Sequence, residues 1–357
     1  MLVIVFFVVL AALVLSHEFG HFLFAKLRGV KVEEFGFGFP PRLFGLRKGE
    51  TLYSINLLPL GGFVKIFGED ATEEKLPRSF AAEPGHWRAL IIGAGVLFNV
   101  LLAWLLLTAG FAAGMPSLVE SGKEASFART EVRVLEVQTG TPAEAAGFAA
   151  GDRIIALRNR ATRLEVGAIE DVQQFISAYR GESVAVEILR KGTTQTIFAT
   201  PDAAPIDGKG ALGIAMGLVG IERVSWYAAP VRGASAVGQM LSGVVAGIAD
   251  IFVRVLRREP ALAHVTGPVG IAMIVGDASQ LGALFLLQLV AFLSINLAIV
   301  NLLPIPGLDG GRLLFLLVEA VRGAPVNQRA HSYAHTVGFV LLILFMLFIT
   351  YRDLINL

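Results

Sequence analysis

Cysteine is absent from all 357 residues. That absence excludes disulfides, thiolate metal ligands and a cysteine nucleophile, and leaves any metal to His, Asp, Glu or water. Charge is scarce too. Asp, Glu, Lys and Arg make up 17% of the chain against 55% hydrophobic residues, and the mean hydropathy is +0.67. A chain so poor in charge reads as an integral membrane protein rather than as two or three soluble domains. Its 30 basic and 29 acidic side chains nearly cancel, so nothing in the charge balance calls for nucleic acid. The N-terminus lacks the basic start of a cleavable signal, and cleavage would remove or isolate His17 and His21. It reads as a retained membrane helix.

Four apolar stretches are long enough to span a hydrocarbon core of about 30 Å. They are Leu2–Ala25, Ala89–Met115, Gly282–Leu303 and Val337–Ile349 with its flanks. Between the first two lie ten Lys and Arg side chains, from Lys26 to Arg88. By the positive-inside rule that loop is cytoplasmic, as is the Arg312, Arg322 and Arg329 loop before the fourth span. The N-terminus, the long 117–225 region and the C-terminus are then outside. Ser225–Leu256, rich in Gly and Ala, reads as an amphipathic helix on the outer interface, with a weak extra span as the alternative.

Inside the first apolar run sits His17-Glu18-Phe19-Gly20-His21. Ionisable residues at bilayer depth cost about 2.5–3.5 kcal/mol each on insertion scales, so this cluster demands a functional reason. Histidines at i and i+4 share a helix face at the spacing two imidazoles need to bind zinc, and the intervening Glu18 can serve as general base. Two histidines leave a zinc site one protein ligand short. Asp309, in Asn301-Leu-Leu-Pro304-Ile-Pro306-Gly-Leu-Asp309-Gly310-Gly311, stands where two prolines end an apolar span. It is a candidate third ligand, or a helix cap at the membrane surface; Glu319 is the next acidic candidate. His331 and His335 share the i, i+4 spacing but lack a Glu between them, and read as interfacial. His86 and His264 are isolated.

Two further segments stand out. Gly36–Pro41 and Leu57–Val64 are too apolar for an ordinary loop, and Thr51–Leu57 alternates as a strand does. Irregular backbone at membrane depth is tolerated when it is buried in protein or lines a wet cavity, which suggests a re-entrant β-hairpin dipping toward the metal. Residues 117–217 read as a small separate domain. Its signals are a strand at Glu131–Gln138, a helix capped at Thr141, a strand after Gly151-Asp152, a helix at Ile169–Tyr179 and a hairpin of Ser183–Leu189 with Thr194–Thr200.

The Pro142-Ala-Glu-Ala-Ala-Gly147 and Gly151-Asp152-Arg-Ile motif resembles PDZ domains of the bacterial protease-associated type. Gly210-Ala-Leu212-Gly213-Ile214 then looks like that family's carboxylate loop, permuted to the end. His-Glu-Phe-Gly-His in the first span, taken with Asn-x-x-Pro-x-Pro-x-x-Asp-Gly in the third, resembles the site-2 protease family of intramembrane zinc metalloproteases. The single PDZ-like domain and the Gly36–Phe39 and Leu57–Val64 segments are similar to its bacterial RseP-type branch, whose enterobacterial members carry two tandem PDZ domains.

The resemblance implies a polytopic α-helical membrane protein of about four transmembrane helices, with a re-entrant β-hairpin and an inserted α+β PDZ domain. Its parts are residues 1–116 (first membrane part), 117–220 (extracytoplasmic PDZ domain), 221–260 (interfacial helix) and 261–357 (second membrane part). It implies one zinc per chain on His17, His21 and Asp309, with Glu18 as catalytic base. It also implies that Asn99, in a Gly95-x-x-x-Asn99 element, supports the developing oxyanion, and that Asn301, Gly36 and Gly38 assist substrate binding. Leu212, Gly213 and Ile214 form the peptide loop. Substrates would be single-pass membrane proteins, such as anti-sigma factors first trimmed by a site-1-type protease, or signal-peptide remnants, cleaved at the bacterial inner membrane. Two other readings stay open: a membrane-anchored PDZ scaffold with a vestigial metal site, and a metal transporter.

Overall fold

The computed structural model describes residues 2–69, 76–119, 127, 130–190, 192–204, 210–259, 266–324, 326 and 328–355. In chain order the elements begin α1 (Leu2–Arg28), β1 (Val32–Lys48), β2 (Thr51–Ile66), α2 (Gly85–Ala113), β3 (Met115–Leu118), β4 (Thr130–Val137) and α3 (Pro142–Ala146). They continue as β5 (Arg153–Arg158), β6 (Arg163–Glu165), α4 (Ile169–Ala178), β7 (Val184–Arg190), β8 (Thr193–Ala199) and β9 (Ile214–Glu222). The chain closes with α5 (Ala229–Leu256), α6 (Pro268–Leu281), α7 (Ala283–Leu302), α8 (Asp309–Arg322) and α9 (Gln328–Ile355). His264 lies outside the described residues, as does the side chain of His331.

Two compact units emerge, one of Met1–Ala109, Ala228–Ser279 and Leu286–Leu357, the other of Gly110–Tyr227 with Gln280–Phe285. Among the described residues, five helices are long and apolar enough to cross a membrane: Val3–Arg28, Gly85–Ala113, Ala229–Leu256, Ala283–Leu302 and Tyr333–Ile355. The fifth beyond the expected four is α5, which the sequence reading laid on the interface. This set of apolar helices with a sheet-bearing insert is the architecture of a multi-pass membrane protein.

In the first unit α1 and α2 touch backbone to backbone. A Cβ at Gly20 would stand 2.3 Å from the Ala94 carbonyl oxygen, an approach only glycine permits. Val30, Val32, Ile66, Phe80, Ile91 and Ile92 are buried together and weld the foot of both helices to the β1–β2 hairpin. The hairpin is more folded than a simple ribbon. Phe35 pairs with Val64 on one side and Tyr53 on the other, and Gly36 likewise with Phe63 and Ser54. The far half of β1 folds back onto the same stretch of β2, Leu46 against Tyr53 and Lys48 against Thr51. The first half of β1 is therefore central, and Gly62–Ile66 forms an edge. Leu43, Phe44, Leu46, Ile55 and Leu57 are all more than half exposed, leaving an apolar tip.

The second unit is a sheet in the order β3-β9-β4-β5-β7-β8, with β6 paired to β5. Its core holds Val132, Val134, Ile154, Leu157, Val172, Phe175, Val186 and Ile188, so α4 packs its apolar face on the sheet as the sequence periodicity requires. Thr141 does precede α3, but its hydroxyl donates to the Gln138 carbonyl rather than capping the helix; Glu144 accepts from the Gly140 N–H instead.

Candidate metal centre

His17 and His21 lie on the face of α1 that meets α2, and both are buried. Their Nε2 atoms are 3.2 Å apart. Nδ1 of His21 lies 2.9 Å from the Ile91 carbonyl, an acceptor only, so that nitrogen carries the proton and Nε2 presents its lone pair. Asp309 arrives from the far end of the chain. Pro304 and Pro306 follow α7, Gly307 takes the left-handed conformation (φ 100°), and α8 starts with Asp309 in its first turn. Gly310 and Gly311 permit a close approach of backbone. Cβ atoms there would stand 2.2 Å from the Leu303 carbonyl oxygen and 2.4 Å from that of Ile305.

Asp309 Oδ2 ends 3.0 Å from His17 Nε2 and 3.3 Å from His21 Nε2. That buried oxygen has no hydrogen bond of acceptable geometry. An orphaned carboxylate oxygen facing two imidazole nitrogens asks for a cation at the centre. The three separations also suit one. Ligands about 2.0–2.1 Å from a tetrahedral zinc stand about 3.3 Å from each other. Among the described residues, this is the one group of three such side chains whose ligand atoms converge within 4.8 Å.

Glu18 projects toward β2, where a Cβ at Gly62 would stand 3.3 Å from its Cγ and 2.9 Å from Val14. Gly62 was not singled out from the sequence, because a glycine in an apolar strand carries no mark of what it faces. Asn99, fully buried in α2, has its amide 3.3 Å from His17 Nδ1. Asn301 has its amide 3.5 Å from His17 Nε2. Both therefore join the histidines. Gly36 and Gly38 sit one strand back: Gly36 offers its carbonyl to the Gly62 side, and Gly38 (φ 84°) lies against the Leu58 carbonyl. Glu319 is elsewhere, paired with Arg88 at 3.1 Å. His335 accepts from Arg312, which also pairs with Glu69, and the His86 ring lies tilted beside that of Trp87, centroids 6.0 Å apart. Leu212, Gly213 and Ile214 belong to the second unit. There the Leu212 and Gly213 carbonyls accept from Ala143 and Gln138 N–H, and β9 begins at Ile214.

In the sequence Gly95 is marked only as the start of the Asn99 element. Its role is steric: a Cβ there would stand 2.4 Å from His21 Nε2 and 2.7 Å from His17 Cε1.

Comparison with known proteins agrees with this geometry. The chain is 30% identical to "Zinc metalloprotease RasP" of Geobacillus kaustophilus, covering 99% of this chain and 97% of that protein. It is 34% identical to a putative zinc metalloprotease of Clostridium perfringens, covering 97% and 96%. It is 28% identical to "Regulator of sigma-W protease RasP" of Bacillus subtilis, covering 99% and 98%. Residues 5–345 match the sequence profile described as peptidase family M50, a stretch that takes in α1 with its paired histidines and the turn that delivers Asp309. The chain belongs to peptidase family M50, the site-2 protease family.

Proposed function

We propose that the chain is an intramembrane zinc metalloprotease that hydrolyses peptide bonds in or near the transmembrane segments of single-pass membrane proteins. The observation that carries this reading is the convergence of His17, His21 and Asp309 around an orphaned carboxylate oxygen, with Glu18 beside it on the same helix. His17, His21 and Asp309 would hold a zinc ion, which would supply Lewis acidity toward the scissile carbonyl and water. Glu18 takes a proton from the attacking water and returns it to the departing amide nitrogen. Asn301, at the rim of the ligand triangle, is placed to donate to the substrate main chain.

A helical substrate hides its carbonyls in i→i−4 hydrogen bonds, so cleavage requires local unwinding. The Gly62–Ile66 edge of the hairpin passes beside Glu18 and can pair with the unwound segment as an added strand. The exposed apolar tip around Leu43, Phe44 and Leu57 supports the re-entrant placement of that hairpin.

The site supports one orientation. α1 carries Lys26 and Arg28 in its last turn, which favours a cytoplasmic position for that end. Asp309, just beyond the end of α7, meets histidines about two turns from the same end of α1. The two helices therefore run in the same direction. A full crossing by α5 between α2 and α7 would reverse α7 and carry Asp309 to the opposite face, since α6 at 14 residues is too short to restore the parity. α5 starts where Trp104 Nε1 donates to the Pro230 carbonyl, at the outer end of α2. α6 starts where the Asp353 carboxylate accepts from Gly270 N–H, at the outer end of α9. An outer interfacial α5 satisfies both ends.

The second unit is then on the extracytoplasmic side of the bacterial inner membrane. It acts as a PDZ domain whose Leu212–Ile214 loop receives a new C-terminus left by an upstream site-1-type protease. The Bacillus relative's name, a regulator of sigma-W, favours anti-sigma factors as the substrate class. The test is purified protein with a model transmembrane substrate. Glu18→Gln is expected to lower cleavage at least about 100-fold while zinc content stays at one per chain. Full activity in Glu18→Gln would remove Glu18 as the base, and no cleavage by the wild-type protein either would return it to the scaffold or transporter reading.

A further inference from the structure

The carboxamide of Asn99 is fully buried against His17, and its Oδ1 has no hydrogen-bond partner. Its other end, Nδ2, faces His17 Nδ1 at 3.3 Å. Which end of an amide is oxygen is assigned from the surrounding network. Here the network runs through the metal site, so the inference rests on the zinc reading above. Nε2 of His17 is the atom that faces Asp309 Oδ2 and His21 Nε2. If Nε2 gives its lone pair to a cation, Nδ1 must carry the proton. A protonated Nδ1 needs an acceptor, and the group in reach that can provide one is the Asn99 amide, turned so that Oδ1 faces the ring.

We infer that Asn99 is a positioning residue for the metal: its Oδ1 accepts the Nδ1–H of His17, fixing the tautomer and ring orientation that direct Nε2 to zinc. His21 is held in the same way by a different acceptor, the Ile91 carbonyl, at 2.9 Å. One helix, α2, thus supplies the outer partner of both imidazoles. Asn99 is itself tethered. Ser294 of α7 donates to its backbone carbonyl at 2.8 Å, and Ser16 of α1 donates to the carbonyl of Phe98 at 3.2 Å. The acceptor is therefore fixed where the three helices meet. Partners of this kind keep a ligating histidine oriented, and their loss weakens metal binding by about 10–100-fold.

The experiment measures zinc affinity of the full-length protein in detergent by competition with a chromophoric chelator, so that proteolysis is not the readout. Asn99→Leu keeps the volume and removes the acceptor; Asn99→Asp keeps an acceptor at the same place. Expected is a loss of about 10–100-fold in Asn99→Leu, with Asn99→Asp within a few-fold of wild type. Asn99→Ala carries the same expectation as Asn99→Leu and replaces it if the leucine variant does not fold. Wild-type affinity in the truncated variants overturns the proposal. Equal losses in Asn99→Leu and Asn99→Asp overturn it too, because they indicate packing rather than hydrogen-bond acceptance. Failure of the wild-type protein itself to bind zinc overturns the functional reading instead.

Discussion

At the scale of single residues, the site is defined as much by missing side chains as by ligands. Gly95 and Gly93 lie on one helix, α2. A Cβ at Gly95 would fall inside contact distance of both imidazoles, whereas one at Gly93 would meet nothing within 4 Å. Gly95→Ala is therefore expected to lower zinc affinity by at least about 10-fold, because the rings can leave the new methyl only by abandoning their aim. Gly93→Ala should leave it unchanged. Metal analysis after dialysis of the two variants checks the contrast, and equal zinc retention would refute the steric role. Asp309 shows the complementary case. Its neighbours Gly310 and Gly311 matter because carbonyls of the preceding turn lie where their side chains would be.

At the scale of elements, the β1–β2 hairpin is fastened to its surroundings by charge at the turn and by apolar packing at its base. Glu50 accepts from Arg78 and Lys26 at 2.8 and 2.7 Å. Those hydrogen bonds, Arg78 first, pull its carboxyl from the ordinary 4.5 down to about 2. The folded pKa lies below the unfolded one, so the stabilisation is present above about pH 4.5 and is lost as the pH falls toward 2. The pair is surface-exposed, and its worth is small and salt-sensitive. The expected outcome is local: hydrogen exchange at residues 49–51 accelerates between pH 4.5 and lower values relative to the buried Val32–Ile66 end, and does so less at high salt, where the pair is already screened. Glu50→Gln should remove that pH dependence. Unchanged pH dependence in this variant would mean that another group governs the turn.

At the scale of the whole molecule, the lack of cysteine is an experimental advantage, since every engineered thiol is the sole one. The proposed orientation places Gly192 and Arg257 outside and Arg47 inside. Gly192→Cys and Arg257→Cys are expected to react with a membrane-impermeant maleimide in intact spheroplasts, and Arg47→Cys only after permeabilisation. Labelling of Arg257→Cys only after permeabilisation would make α5 a crossing and require a different path to α7. Protection of Gly192→Cys would refute an extracytoplasmic second unit.

The chemistry was legible in the sequence because it is local or compositional. Paired histidines one helical turn apart, a glutamate between them and an apolar setting need no tertiary knowledge, and the same holds for the prolines that stop a span before Asp309. In the second unit β4, α3, β5, α4, β7 and β8 were readable within a residue or two, since alternation and helical periodicity report which face is buried, whereas β3, β6 and β9 were not read as strands. The number of helices able to cross a membrane was harder, because α5 is apolar enough to cross yet amphipathic enough to lie flat; composition weighs both and decides neither. The orphaned oxygen of Asp309 aimed at two imidazoles, Gly62 beside Glu18, Gly95 beneath the rings and the folded-back register of the hairpin belonged to the tertiary structure alone. Each depends on which backbone approaches which, and contacts between residues far apart in the chain leave no periodic trace along it.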